Sequence, residues 1–300
     1  DAAQANIPEM WSLAFWHAFL DEMSRHRYNV LSLWSLHPFP SMVKVPEFPD
    51  VALDDVWRTR AKLDDSFHSW GIDMVRPAML ADHEVVKTIT IDEKIAFWRE
   101  VMRYAKSRGI DVYVFTWNAF TWGATGKYGI TDALDNPVTV AYLRASVREL
   151  VRTYPLLAGI GITAGENMVL KGANADAVRE QWLWSTYGEG IRDALKEDPA
   201  RKVTLIHRFH MASQDAILAA WKNYPGPFEF SFKYSVAHMY SITHPPFLDP
   251  VLPQLTAGRK TWLTVRNDDI YTFRCGDPDY IRDYVTNMPA AEKLAGFYVG

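Results

Sequence analysis

The chain has 300 residues, 48% of them hydrophobic, and a formal charge of -4 from 36 acidic and 32 basic residues. That length and composition suit one large buried core, and the absence of any block of like charge leaves nucleic acid and membrane surfaces without an electrostatic reason to bind. Cys275 is the only cysteine, which excludes an intrachain disulfide and a thiolate zinc site, and no apolar run reaches the roughly 18 residues that a membrane span requires.

The amphipathic stretch from Pro8 to His26 predicts a helix that runs directly into Tyr28–Trp34, an apolar run typical of a buried strand. A polar, proline-rich excursion follows, HPFPSMVKVPEFPD and onward to about Ile91. It is too long for an ordinary connection, which marks it as a functional insertion with short helices of its own. Asp92 is expected to cap a helix that stops at Gly109, ahead of the strand Ile110–Thr116. Pro137 opens the next helix, to about Tyr154, before the strand Leu157–Thr163. The cycle repeats with a helix from Ala175 to Lys196 and the strand Lys202–Arg208, then a helix near Gln214 to Asn223 and the strand Phe228–Lys233. A short helix through Leu255 precedes the strand Thr261–Arg266, and a helix from Pro278 to Asn287 precedes the closing strand Ala295–Val299.

Continuous apolar strands alternating with helices are the pattern of a parallel sheet covered on both faces. The expected class is therefore α/β, a (β/α)8 TIM barrel forming one catalytic domain over residues 1–300. The sequence opens on a helix and closes on a strand, so the barrel is expected to lack its first strand and last helix and to belong to a larger multidomain protein. An open doubly wound sheet would carry a glycine-rich phosphate turn, and no G-x-G-x-x-G follows the first strand.

In such barrels the reacting groups lie just after the C-terminal strand ends. Those positions hold Trp34 and His37, Trp117 and Asn118, Glu166 and Asn167, and His207, Arg208 and His210. The later strands add Lys233, Tyr234 and His238, then Arg266, Asn267, Asp268 and Asp269. Glu166 follows an apolar strand and Gly165, a position that would raise its pKa and let it serve as a general acid. The plainer alternative is a carboxylate that caps the following helix or pairs with Arg208 or Lys171. Asp268 or Asp269, three strands away, would supply the base or nucleophile that glycoside hydrolysis needs opposite the acid. Equally, the run NDD could be a turn with Asx-type hydrogen bonds.

Arg208, Lys233 and Arg266, with the loop residues Lys44 and Lys127, would gather positive charge at one rim. A guanidinium fork reads a carboxylate bidentately, so an anionic sugar such as a uronic acid is expected, against the alternative of neutralising nearby acids. Histidines at strand ends could ligate a metal, but HRFH places its two histidines on opposite faces of a strand. One or two of His37, His207, His210 and His238 are instead expected to hydrogen-bond sugar hydroxyls in substrate binding or to orient Glu166, and no metal or other cofactor is expected. Twelve Trp, fourteen Tyr and fifteen Phe are many for this length; most belong to the core, and the excess is compatible with a saccharide cleft. Trp34, Trp117, Trp122 and Tyr128 are candidate stacking platforms for sugar rings, with core packing the alternative for Trp34, whereas Trp98 and Trp182 read as core.

The stretches RYNVLSLWSLHPFPSMVKVPEFPDVALDDV, TWNAF, GKYGIT, GITAGEN, HRFH, FSFKYSVAHMYS and WLTVRNDDIY resemble the barrel domain of bacterial α-glucuronidase-like glycoside hydrolases, along the length of the chain. The resemblance implies a polysaccharide-degrading hydrolase, periplasmic or secreted, with further domains in the same polypeptide. It also implies proton donation by the glutamic acid after strand four of the barrel, which is Glu166. In that family the base comes from carboxylates after strands six and seven; here strand six ends in Lys233 and Tyr234, leaving Asp268 and Asp269. The expected partner is a plant or algal oligo- or polysaccharide, with neither nucleic acid nor membrane. Two alternatives stand beside it, a non-catalytic carbohydrate-binding barrel and a metal-dependent barrel hydrolase.

Overall fold

The computed structural model describes residues 8–60, 81–117, 119–165, 168, 170–209, 212–232, 246, 249–265 and 278–299. A 3-10 turn, Pro8–Trp11, leads to helix α1, Leu13–Arg25, whose N-cap Ser12 accepts a hydrogen bond from Phe15 N at 3.4 Å. The helix buries Trp16 and Leu20. Strand β1, Val30–Trp34, follows.

The excursion departs from expectation. It carries two single-turn 3-10 helices, Phe39–Ser41 and Pro49–Val51, and also an antiparallel ribbon of β2, Val56–Thr59, and β3, His83–Lys87. Helix α2, Ile91–Ser107, is capped by Thr90 in a capping box with Glu93 rather than by Asp92. Both orphan donors at the helix start are thus satisfied reciprocally. The buried Lys94 donates to Leu53 O at 2.7 Å and Asp55 O at 2.6 Å, fastening the excursion to α2.

The remaining units are β4, Asp111–Trp117; α3, Pro137–Thr153; β5, Leu157–Thr163; α4, Ala175–Leu183; and α5, Glu189–Glu197. A π-turn, Trp184–Gly188, joins α4 to α5. Then come β6, Thr204–Phe209; α6, Gln214–Trp221; β7, Phe228–Phe232; β8, Thr261–Val265; α7, Pro278–Thr286; and β9, Leu294–Val299. The main sheet has seven strands in the order β1-β4-β5-β6-β7-β8-β9, and every pair is parallel. Parallel strands in sequence order with intervening helices are the βα repeat of a (β/α)8 barrel; between β7 and β8 the described residues hold a 3-10 turn, Leu252–Gln254, in place of the expected short helix. The chain is an α/β protein with the fold of a partial TIM barrel.

Alternation along each strand sorts the side chains into two layers. Leu31, Leu33, Val112, Val114, Ile160, Ile162, Leu205, Phe230, Phe232 and Leu263 join the main core under the helices. A second cluster of Tyr113, Phe115 and Ile206, with Val30, Trp34 and Trp262 against it, fills the inner side. The sheet curls about this inner cluster. Residues of both edge strands, Val30, Leu31, Ser32 and Trp34 of β1 and Phe297 of β9, line one apolar groove of about 390 Å³ together with Phe115, Ile206 and Trp262.

Glycines in β5 make room for the inner layer. A Cβ on Gly161 would lie 2.1 Å from the Phe115 ring, and one on Gly159 would lie 2.6 Å from Tyr113 and 2.2 Å from Thr204 O. The motif Gly159-Ile-Gly161 therefore lets two aromatic rings lie across the strand itself. No helix among the described residues is long and apolar enough to cross a membrane.

Candidate active site

The C-terminal ends of the parallel strands form the mouth of the barrel, where this architecture places its chemistry. Trp34 ends β1 with its ring stacked on Phe115, centroids 4.4 Å apart and planes 19° apart. Trp117 ends β4 with its ring 5.9 Å from Trp34. Arg208 alternates with Ile206 on the inner side of β6, and its guanidinium carbon sits 5.5 Å from the centre of the Trp34 ring. All three side chains are half-buried. Three of the expected substrate-binding residues, from three different strands, are thus brought into one wall that combines aromatic faces with a fixed positive charge. Such a wall can stack a sugar ring and hold an anionic substituent.

His37 is a correction. It was expected to face substrate, yet it is 4% exposed and both ring nitrogens are engaged within the protein. Nδ1 donates to Trp122 O at 2.5 Å, since a carbonyl can only accept, so Nε2 accepts from the Tyr142 hydroxyl at 3.1 Å. Burial lowers the imidazole pKa from 6.5 to about 4, so the folded protein holds it neutral. Above pH 6.5 the ring is neutral folded or unfolded, and its contribution is complete. As pH falls from 6.5 toward 4 the unfolded chain takes up the proton and the folded one does not, which costs about 3 kcal/mol of stability by the end of that window. Urea midpoints measured from pH 7.5 to 4.5 should fall less steeply in His37→Gln than in the native protein. Parallel slopes would show that His37 is not the group responsible.

His207 is the second correction. It lies on the helix side of β6, opposite to Arg208, and is 0% exposed. Its Nε2 is 2.8 Å from Glu180 Oε2 and its Nδ1 is 3.1 Å from Arg208 O, and Trp221 Nε1 donates to the same Glu180 oxygen at 3.0 Å. Period-two alternation removes His207 from the mouth and makes it part of the packing between β6, α4 and α6.

Lys44 and Lys127 do not join Arg208 in a rim cluster. Lys44 pairs with Asp92 at 2.6 Å, and Lys127 donates to Asp50 O at 2.6 Å. Tyr128, at φ +56°, donates its hydroxyl to Asp50 Oδ2 at 3.0 Å. Lys127 and Tyr128 thus tie their loop to the excursion, and Lys44 ties the excursion to α2. Trp122 lines a small cavity of about 60 Å³ with Trp11, Leu53 and Lys94 rather than standing with Trp34. Glu166, Asp268 and Asp269 lie outside the described residues, as do Asn118, Asn167, His210, Lys233, Tyr234, His238, Arg266 and Asn267.

One inward carboxyl was not anticipated. Glu229 accepts from Trp262 Nε1 at 2.6 Å, and burial raises its pKa above the usual carboxylate range. It stands near the start of β7, away from the mouth, where barrel residues serve stability. The alternation in Phe228-Glu-Phe-Ser-Phe232 was the available signal. Among the described residues no three His, Cys, Asp or Glu side chains are grouped to hold a metal ion.

Among solved structures the chain is similar to a GH138 enzyme targeting pectin rhamnogalacturonan II, with a TM-score of 0.71 and 21% identity over 96% of this chain and 30% of that one. It is also similar to a β-mannanase from the blue mussel Mytilus edulis, with a TM-score of 0.51 and 10% identity over 95% of this chain and 79% of that one. A third likeness is to an exo-β-1,4-mannosidase from an Opitutaceae bacterium, strain TAV5, with a TM-score of 0.52 and 15% identity over 97% and 49% of the two chains. At these identities the likeness is one of fold. The chain spans less than a third of the length of the GH138 enzyme. No protein-family model matches the chain, and neither does any curated protein.

Proposed function

We propose that the chain is the barrel of a glycoside hydrolase that acts on a plant polysaccharide bearing a uronic acid or another anionic sugar. The observation that carries this reading is the wall at the mouth, where Arg208 lies over Trp34 beside Trp117. Aromatic faces suit the apolar faces of a sugar ring, and a guanidinium suits its carboxylate. The fold likeness to a GH138 enzyme targeting pectin rhamnogalacturonan II favours a plant cell-wall substrate. Glu166 would protonate the departing glycosidic oxygen, and Asp268 or Asp269 would act as nucleophile or activate water, the pair of carboxyl roles that glycoside hydrolysis requires. Lys233 and Arg266 would complete the anion site with Arg208.

The test compares uronic-acid oligosaccharides with their carboxyl-reduced counterparts, which differ only in that anion. Arg208→Met should raise KM for the acidic substrate about tenfold or more and leave the reduced one within about twofold, as expected when one charge-assisted contact is lost. Equal effects on both substrates would overturn the anionic assignment, and binding without any turnover would overturn the hydrolase.

A further inference from the structure

The core-facing side of α4 carries charged residues where apolar ones would pack. Asp176, Arg179 and Glu180 share one helix face by their spacing of three and four, and Arg179 and Glu180 are 7% and 0% exposed. Buried charges of this kind are costly unless paired, and paired charges seldom outperform a hydrophobic core. Their partners explain the choice. Arg179 Nη1 donates to Met168 O at 3.3 Å, and Met168 N in turn donates to Gly165 O at 2.9 Å. Arg179 also pairs with Asp176, whose other oxygen accepts from Ser213 N at 2.8 Å. Ser213 is the N-cap of α6, in the connection that leaves β6. Glu180 holds His207 and Trp221, and the His207 ring meets the carbonyl of Arg208 itself. One turn of helix therefore grips the chain just after β5, the chain just after β6, and the backbone of Arg208.

We propose that Asp176, Arg179 and Glu180 are positioning residues, a brace that fixes the segment at Met168 relative to Arg208 and so sets the spacing between acid and anion site. The inference rests on the reading of Glu166 as acid, two positions before Met168, and of Arg208 as the anion ligand. The two arms of the brace act on different steps. Arg179 holds Met168, two positions after Glu166 in the sequence, so its loss is expected to act on turnover. Glu180 governs Arg208, so its loss acts on recognition of the carboxylate. Small displacements of reacting groups are expensive, on the order of a hundredfold in rate for an ångström.

Kinetics of the native protein and three α4 variants on uronic-acid oligosaccharides and their carboxyl-reduced counterparts test this, with thermal midpoints recorded for each. Arg179→Met should lower kcat about tenfold or more on both substrates and leave KM within about twofold. Glu180→Met should raise KM about fivefold or more on the acidic substrate alone, and Glu180→Gln, which keeps the acceptor, should return it to within about twofold of native. If Arg179→Met does not fold, Arg179→Gln, which keeps a donor, takes its place. A merely structural role would lower kcat alike for both arms and both substrates, and that result, or unchanged constants throughout, would overturn the brace. Glu166→Gln and Arg208→Met are run alongside. If those two are silent the site reading falls and the brace with it; if they respond and the α4 variants do not, only the brace falls.

Discussion

Glu166→Gln is expected to lower kcat on uronic-acid oligosaccharides by about a thousandfold, the middle of the range that positioned acid catalysis contributes. The amide keeps the size and hydrogen-bonding reach of the acid and cannot deliver a proton, so folding and KM should stay close to native. The leaving group separates this role from any other. A sugar alkoxide cannot depart unprotonated, whereas a dinitrophenolate can. The loss on a dinitrophenyl uronide should therefore be at least about tenfold smaller than on the oligosaccharide. Equal losses on the two substrates would assign Glu166 to binding or to nucleophilic attack, and unchanged turnover would remove it from the chemistry.

The seven strands of the sheet were legible because each is a continuous apolar run bounded by helix signals, the form that burial on both faces imposes. The ribbon of β2 and β3 was not, because Val56-Trp-Arg-Thr59 and His83-Glu-Val-Val-Lys87 are short and mixed, and they pair across a long sequence separation. The π-turn Trp184–Gly188 adds a residue to a helix without breaking its apolar pattern, so composition gives no sign of it. At the mouth, residue type alone was a poor guide. His207 and Arg208 are neighbours at one strand end, yet alternation sends them to opposite faces, one into a buried pair with Glu180 and the other over Trp34. Applying period two to each strand would have separated them. His37 was not recoverable that way, because its partners Trp122 and Tyr142 come from two distant segments.

The glycines of β5 link that inner packing to the site. Gly161→Ala should lower the thermal midpoint by about 5 °C, corresponding to overpacking of about 1–3 kcal/mol. The new methyl would sit 2.1 Å from Phe115, a ring that cannot simply retreat because Trp34 is stacked on its other side at 4.4 Å. Truncating the obstacle should absorb the cost. In the pair Gly161→Ala with Phe115→Ala, the second substitution should be about 1 kcal/mol or more less destabilising than it is alone, a coupling that only residues in contact show. Additive midpoints would mean that the clash is relieved elsewhere, by movement of the strand. Because Phe115 backs Trp34, the single variant should also disturb the aromatic wall. Its KM should rise for acidic and carboxyl-reduced oligosaccharides alike, in contrast to Arg208→Met, which discriminates between them. The two patterns together would separate the stacking surface from the charge above it.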